Sequence, residues 1–306
     1  MAKAITRRTL VGYGSTRINM HYVEGLDNIM ANKRQQLIRK VSKGSYWDNQ
    51  FGGIVEFSAI VGNPPYQKVD GGHGNSAMPV YQDFVQTAID LGPEYVSMVT
   101  PSRWFSGGKG LDDYRGRMLH DHHLRELVDF PKLYEPFPNV KIRGGISYFL
   151  WDRSWNGPCT VQTMEDGLPV VKPVARYLDE FDVLIRRNEA VPILEKVLCR
   201  SEPKLSSRVS SSKPFGLRTF FHGADSPNNL REPVELYCSQ NISWIERGDV
   251  PTHRDWIDKW KVLVTTVQGT SAAVETKFLS TPIVAGEGTA CTETYLVAGL
   301  FDSKDQ

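Results

Sequence analysis

Cysteine is scarce in this chain: Cys159, Cys199, Cys238 and Cys291 are the four, widely spread and with no C-x-x-C pair among them. That spacing excludes a zinc ribbon or a disulfide scaffold and fits a reducing, cytoplasmic compartment. No apolar segment follows a basic start, and no run approaches the roughly 18 apolar residues of a membrane span, so no membrane partner is expected. An excess of either charge is also missing, with 36 Lys and Arg against 35 Asp and Glu. This balance gives no case for a wholesale polyanion-binding surface. The local exception lies in the first fifty residues, where Lys3, Arg7, Arg8, Arg17, Lys33, Arg34, Arg39, Lys40 and Lys43 outnumber Glu24, Asp27 and Asp48. Such a run is read first as a solvated helix face and second as a phosphate contact. There is no internal repeat. What is present is 40% hydrophobic content over 306 residues, enough to bury the core of one large domain or two ordinary ones.

Along the chain, "FSAIV" (57–61) reads as a buried parallel strand stopped by Gly62 and two prolines. In "PVYQDFVQTAIDLG" the positions Val80, Phe84, Val85, Ala88 and Ile89 form one helical stripe, with Pro79 near its start and Gly92 past its end. "EYVSMVTPS" (94–102), "LRELVDF" (124–130), "GISYFLW" (145–151) and "CTVQTM" (159–164) read as strands, and 112–123 as a helix. Alternating strands and helices predict an α/β domain with a mostly parallel sheet. Residues 174–200 read as a helix kinked near Pro192. The Ser-, Lys- and Pro-rich stretch 202–213 reads as a linker, and 214–306 as a smaller mixed α/β or β-rich region.

The sharpest local feature is Asn63-Pro64-Pro65-Tyr66, directly after the first strand. Proline fixes its own φ and pushes the preceding residue out of the α region, so two in succession hold their neighbours in nearly fixed directions. Neither proline has an N–H. The corner therefore offers acceptors, the Asn63 side-chain oxygen and the Pro64 carbonyl, beside the flat face of Tyr66. That set suits a planar amino group on an aromatic ring, such as adenine N6. Two acceptors on its hydrogens favour a more tetrahedral nitrogen with its lone pair turned toward an electrophile. Such chemistry is positioning plus electrostatics. A base inside a duplex must be flipped out to reach such a pocket, where an aromatic platform can hold it.

With its preceding strand, this tetrapeptide resembles the catalytic motif of the amino-methyltransferases, above all the γ-type adenine-N6 DNA methyltransferases of restriction–modification systems. "MPVYQDFVQTAIDLG" and "VSMVTPSRWF" are similar to the helix and strand that follow it there, and "LVDFPKLYEPFPNVKIRGGISYFLW" to that family's late strand pair and intervening F-P loop. The resemblance implies a partial Rossmann-like, S-adenosylmethionine-dependent methyltransferase fold with double-stranded DNA as partner. It also implies that Asn63 and Pro64 hold the target amine, Pro65 stiffens the loop, and Tyr66 and Phe137 stack on the two faces of the base. The implied organisation is a basic segment over 1–54, a catalytic core over 55–201, the linker over 202–213 and a target-recognition-like region over 214–306. The family's Gly-rich cofactor loop has one upstream counterpart, Gly12 and Gly14 in "TLVGYGSTR", a G-x-G without its third glycine. The expectation is therefore a catalytic and recognition portion, with a second chain supplying the cofactor half or a nuclease. The alternatives are a non-catalytic DNA-binding or partner protein on the same scaffold, and a protein-glutamine or RNA methyltransferase.

Several other features have plainer readings. Ser102 and Arg103 are candidates for touching DNA phosphate, while Trp104 and Phe105 read as packing residues. "GGHGN" (71–75) and "SGGKG" (106–110) lack P-loop spacing and read as loops beside the DNA channel. His120, His122 and His123 around Asp121 read as a solvated helix end, and no metal is expected.

Overall fold

The computed structural model of the chain describes residues 26–47, 52–67, 78–108, 110–132, 135, 137, 142, 144–266 and 281–306. They fall into two compact units, Met1–Val197 and Leu198–Gln306. In the first, helix α1 (Leu26–Val41) and the short α2 (Gly44–Trp47) precede strand β1 (Ala59–Gly62). Helix α3 (Tyr81–Asp90), β2 (Tyr95–Pro101), helix α4 (Asp112–His120), β3 (Leu124–Phe130), β4 (Ile146–Asp152) and β5 (Cys159–Glu165) follow. Two short strands, β6 (Leu168–Pro169) and β7 (Val174–Arg176), then pair antiparallel with β5.

Periodicity explains why these elements form where they do. In α3 the buried Tyr81, Val85 and Ala88 lie at helical spacing, and Gly92 at φ +67° follows the last turn. In β2 the buried Val96, Met98 and Thr100 alternate with more exposed neighbours. These faces meet Trp104, Tyr114, Leu127, Phe149 and Val161 in one core. The expected α/β layering is present. The sheet is mixed, however, where a mostly parallel one was expected. Its order is β1-β2-β4-β3-β5-β6, with β1–β2 and β3–β5 parallel and β4 antiparallel to both β2 and β3. The cause is local: the connection from β3 brings the chain back as β4, which inserts between β2 and β3.

Two further expectations change. The strand read as buried lies at the sheet's edge among the described residues, with Val61 78% exposed. Within 174–200, helix is confined to α5 (Val191–Leu198), with Pro192 in its first turn, where the missing N–H is tolerated. Upstream of it, Val174–Arg176 is strand, Leu178 and Leu184 are buried in the first core, and Arg176 donates to the Ile185 carbonyl (2.5 Å) and Asn188 Oδ1 (3.1 Å). Those tertiary contacts override the helical pattern.

The second unit is β-rich. One sheet places β10 (Trp260–Thr265) between β11 (Ile283–Ala285) and β13 (Tyr295–Phe301), all antiparallel. The other places β8 (Pro233–Tyr237) between β9 (Ile242–Glu246), antiparallel, and β12 (Thr289–Cys291), parallel. Phe215, Leu236, Ile257, Leu263, Cys291 and Val297 share their core. The Ser-rich stretch read as a linker has partners here: Ser210 N donates to Val297 O, Ser210 Oγ accepts from Val297 N, and Val209 bridges Ala298.

Candidate active site at the carboxyl edge of the first sheet

Strands β1, β2 and β3 run in the same direction, so their carboxyl ends open on one edge of the sheet. Pro101, Ile146 and Phe130 lie in one row across β2, β4 and β3, and Gly62 pairs with Met98. Asn63, Ser102 and Pro131 therefore leave the sheet on the same side. Along the order β1-β2-β4-β3, the exits of β1 and β3 are three strand spacings apart, roughly 14 Å. Loops at the carboxyl ends of such sheets are where ligands are commonly bound.

At the first exit Asn63 is exposed, Pro64 buried, Pro65 exposed and Tyr66 half-buried. The chain beyond is tied down: Tyr66 O accepts from Val80 N (3.3 Å), and Gln67 bridges Pro79. Among the described residues the Tyr66 hydroxyl has no hydrogen-bond partner, and burial pushes its pKa up. It is thus a neutral ring at physiological pH. At the third exit, Phe137 is half-buried in the loop between β3 and β4.

Between these exits lies a group that the sequence reading missed. Asp129, 1% exposed near the end of β3, accepts from Ser102 Oγ (2.7 Å) and pairs through Oδ2 with Arg186 Nε (3.3 Å). Burial lifts its pKa to about 6, against the lowering influence of Arg186 and Ser102. A charged residue within the otherwise apolar "LVDF" is the signal that could have found it. Arg186, in the segment after β7, carries no comparable pattern.

Ser102 itself is buried with its hydroxyl committed to Asp129, so it is not presented to a DNA phosphate, whereas Arg103 is exposed. Trp104 and Phe105 are packed edge to face in the core. Gly12, Gly14 and residues 71–75 lie outside the described residues, as does Lys109 of the 106–110 loop. The three histidines are engaged separately. His120 Nδ1 bonds the Gly116 carbonyl (2.8 Å), His122 Nε2 meets Asp179 Oδ2 (3.2 Å), and His123 Nδ1 meets Asp121 Oδ1 (2.8 Å), whose other oxygen accepts from Trp151 Nε1. Among the described residues no group of three or more His, Cys, Asp or Glu could hold a metal ion, and no helix is long and apolar enough to cross a membrane.

Fold and edge together define an α/β protein that presents acceptors and an aromatic ring where strands end. Residues 1–137 match the family model described as Eco57I restriction-modification methylase. A Mycoplasma pneumoniae protein described as an uncharacterized adenine-specific methylase is 34% identical over 122 residues, 39% of this chain and 29% of the relative. The resemblance to the adenine methyltransferases of restriction–modification systems thus holds over the stretch that carries the proline corner, and the chain matches less than a third of that relative's length. Among solved structures, the type I restriction-modification methyltransferase subunit of Streptococcus thermophilus is 14% identical with a TM-score of 0.28, covering 49% of this chain and 33% of that one. The type IIG restriction endonuclease BpuSI is 10% identical with a TM-score of 0.35, covering 78% of this chain and 41% of that one.

Proposed function

We propose that the first unit is the amine-gripping portion of an adenine-N6 DNA methyltransferase, and that the second unit contributes to target recognition. The observation that carries this reading is the corner itself: an exposed Asn63 and a half-buried, neutral Tyr66 held at the carboxyl edge of the sheet. Asn63 Oδ1 and the Pro64 carbonyl accept the two amine hydrogens of an extrahelical adenine. This draws the nitrogen toward a tetrahedral shape and exposes its lone pair. Tyr66 stacks on one face of the base and Phe137 on the other, replacing the stacking lost when the base leaves the duplex. S-adenosylmethionine supplies the electrophilic methyl group when bound. The residues of this edge orient the acceptor and need no base of raised pKa, because the amine proton leaves after transfer. Arg103, exposed on the turn after β2, meets the DNA backbone in this reading. A second chain, carrying cofactor-binding or nuclease parts, is the further partner of this reading.

The test is nucleoside analysis of duplex DNA incubated with methyl-labelled S-adenosylmethionine and the chain together with the second, cofactor-binding chain of this reading. The expected label is N6-methyladenine, absent with Asn63→Ala. An unlabelled duplex, with label found instead on protein glutamine or RNA guanine when protein or RNA is supplied in its place, would replace this reading with another amine acceptor.

A further inference from the structure

Asp129 lies away from the proline corner, yet its two side-chain partners, Ser102 and Arg186, reach the turn after β2 and the end of the β3–β4 loop. Its Oδ1 accepts from Ser102 Oγ, at the start of the turn Ser102–Phe105, and its Oδ2 faces the Arg186 guanidinium. Arg186 also donates to the Gly144 carbonyl, and its guanidinium lies 5.1 Å from the centre of the Phe105 ring. The backbone around Arg186 is fixed as well: Leu184 N donates to Phe105 O (2.7 Å), and Thr163 Oγ1 on β5 donates to Arg186 O (2.9 Å).

These contacts converge on the neck of the loop that carries Phe137. Ser102 N donates to Gly145 O (3.0 Å), joining the turn after β2 to the loop's far end. Gly145, at φ +85°, is packed so closely on the loop's near end that a Cβ there would collide with the Phe130 carbonyl. The two ends of the 131–145 loop are thereby pinched together, and the Ser102–Asp129–Arg186 group grips the pinch.

We infer that Asp129 is a positioning residue: through Arg186 and Ser102 it holds together the two ends of the β3–β4 loop, on which Phe137 lies, and sets the direction in which the turn after β2 presents Arg103. The inference deepens the amine-gripping reading and rests on it for its purpose. Asp129's ionisation is the handle, because the grip on Arg186 needs the carboxylate. The charged group facing Asp129 is Arg186, from the segment after β7. Ser102 faces it from the turn, and its neighbours across the sheet are Ser147 on β4 and Thr163 on β5, both buried and uncharged. Protonation near pH 6 therefore loosens one ion pair and leaves the rest of the surroundings electrically unchanged.

The experiment places 4-fluorophenylalanine at position 137 of the full chain and follows its fluorine resonance from pH 5 to pH 8. The expected result is a titration with a midpoint near 6, abolished by Asp129→Asn, which keeps the acceptor for Ser102 but removes the charge. Arg186→Lys, which keeps a cation, should retain a smaller titration. A resonance that does not move with pH, or that titrates alike in Asp129→Asn, overturns the inference. In parallel, the affinity for a duplex with an adenine opposite an abasic site should fall about tenfold in Asp129→Asn. If the resonance titrates but this affinity is unchanged, Asp129 positions the loop as inferred and the amine-gripping reading fails.

Discussion

The two units differ in how completely their buried polar groups are paired. In the second, Lys261 is 1% exposed at the centre of a sheet, yet its ammonium donates to Thr289 Oγ1 (2.8 Å) and the Gly286 carbonyl (3.2 Å). In the first, Thr100 Oγ1, Trp104 Nε1 and the hydroxyls of Tyr66 and Tyr114 are buried without a hydrogen-bond partner, and every described atom of this kind lies in that unit. An orphaned buried polar group costs about 1–3 kcal/mol. A unit built only for stability would pair them, as the second does. The first carries them in the unit that holds the proline corner, Thr100 on β2 being two residues before Ser102, and such departures from local satisfaction cluster at functional sites.

This contrast can be broken at several points, the largest effect coming first. Asn63→Ala should reduce methyl transfer by roughly a thousandfold, as loss of a donor or acceptor aimed at the reacting group does, while leaving the unfolding curve unchanged. An equal loss of stability would make Asn63 a structural residue. Next, Arg186→Gln should destabilise the first unit by roughly 3 kcal/mol in urea unfolding, because it strands a buried carboxylate. Asp129→Asn should not do so. The folded Asp129 binds its proton below about pH 6 and the unfolded one below about 3.8, so the folded state holds more protons between these values and stability falls as pH rises through that window. Removing the charge lifts that penalty, and Asp129→Asn should be at least as stable as the wild type at pH 7.5.

Lys261 supplies the opposite sign. Burial lowers its pKa to about 8 from 10.5, so the folded state holds fewer protons between those values and stability rises as pH climbs from 8 toward 10.5. The gain should reach roughly 2–3 kcal/mol, read by hydrogen exchange of β10. Lys261→Met should flatten it without weakening the unit at pH 7, since apolar replacements of buried charge are often neutral. The smallest effect belongs to Arg103→Ala: the slope of log affinity for duplex DNA against log salt should flatten by about one, the share of a single phosphate contact.

Much of the first unit was legible because its signals are local. Alternation in "YVSMVTP" and helical spacing in "YQDFVQTAID" mark elements whose buried faces the core then uses. The proline corner was legible for the same reason, since its geometry is set by the residues themselves. Illegible features depend on distant partners. Nothing near β4 announces that it inserts between β2 and β3, so the sheet's mixed sense was missed. Residues 174–190 have helical composition but form a short strand, turns and a single 3-10 turn, anchored to the first core by Arg176, Leu178 and Leu184. The pairing of Asp129 with Arg186 spans more than fifty positions and so leaves no spacing to read.

The most direct measurement compares the affinity of the chain for a duplex whose adenine faces an abasic site with its affinity for the same duplex fully paired, by fluorescence anisotropy, in the wild type and in Tyr66→Ala. An adenine freed of its partner is cheaper to extrude, so the wild type should prefer that duplex. Tyr66→Ala should lower affinity for it by roughly 1–3 kcal/mol, the worth of one stacked base, and leave affinity for the paired duplex nearly unchanged. Equal binding of the two duplexes by the wild type, or an undiminished preference in Tyr66→Ala, would contradict a base-gripping corner at this edge.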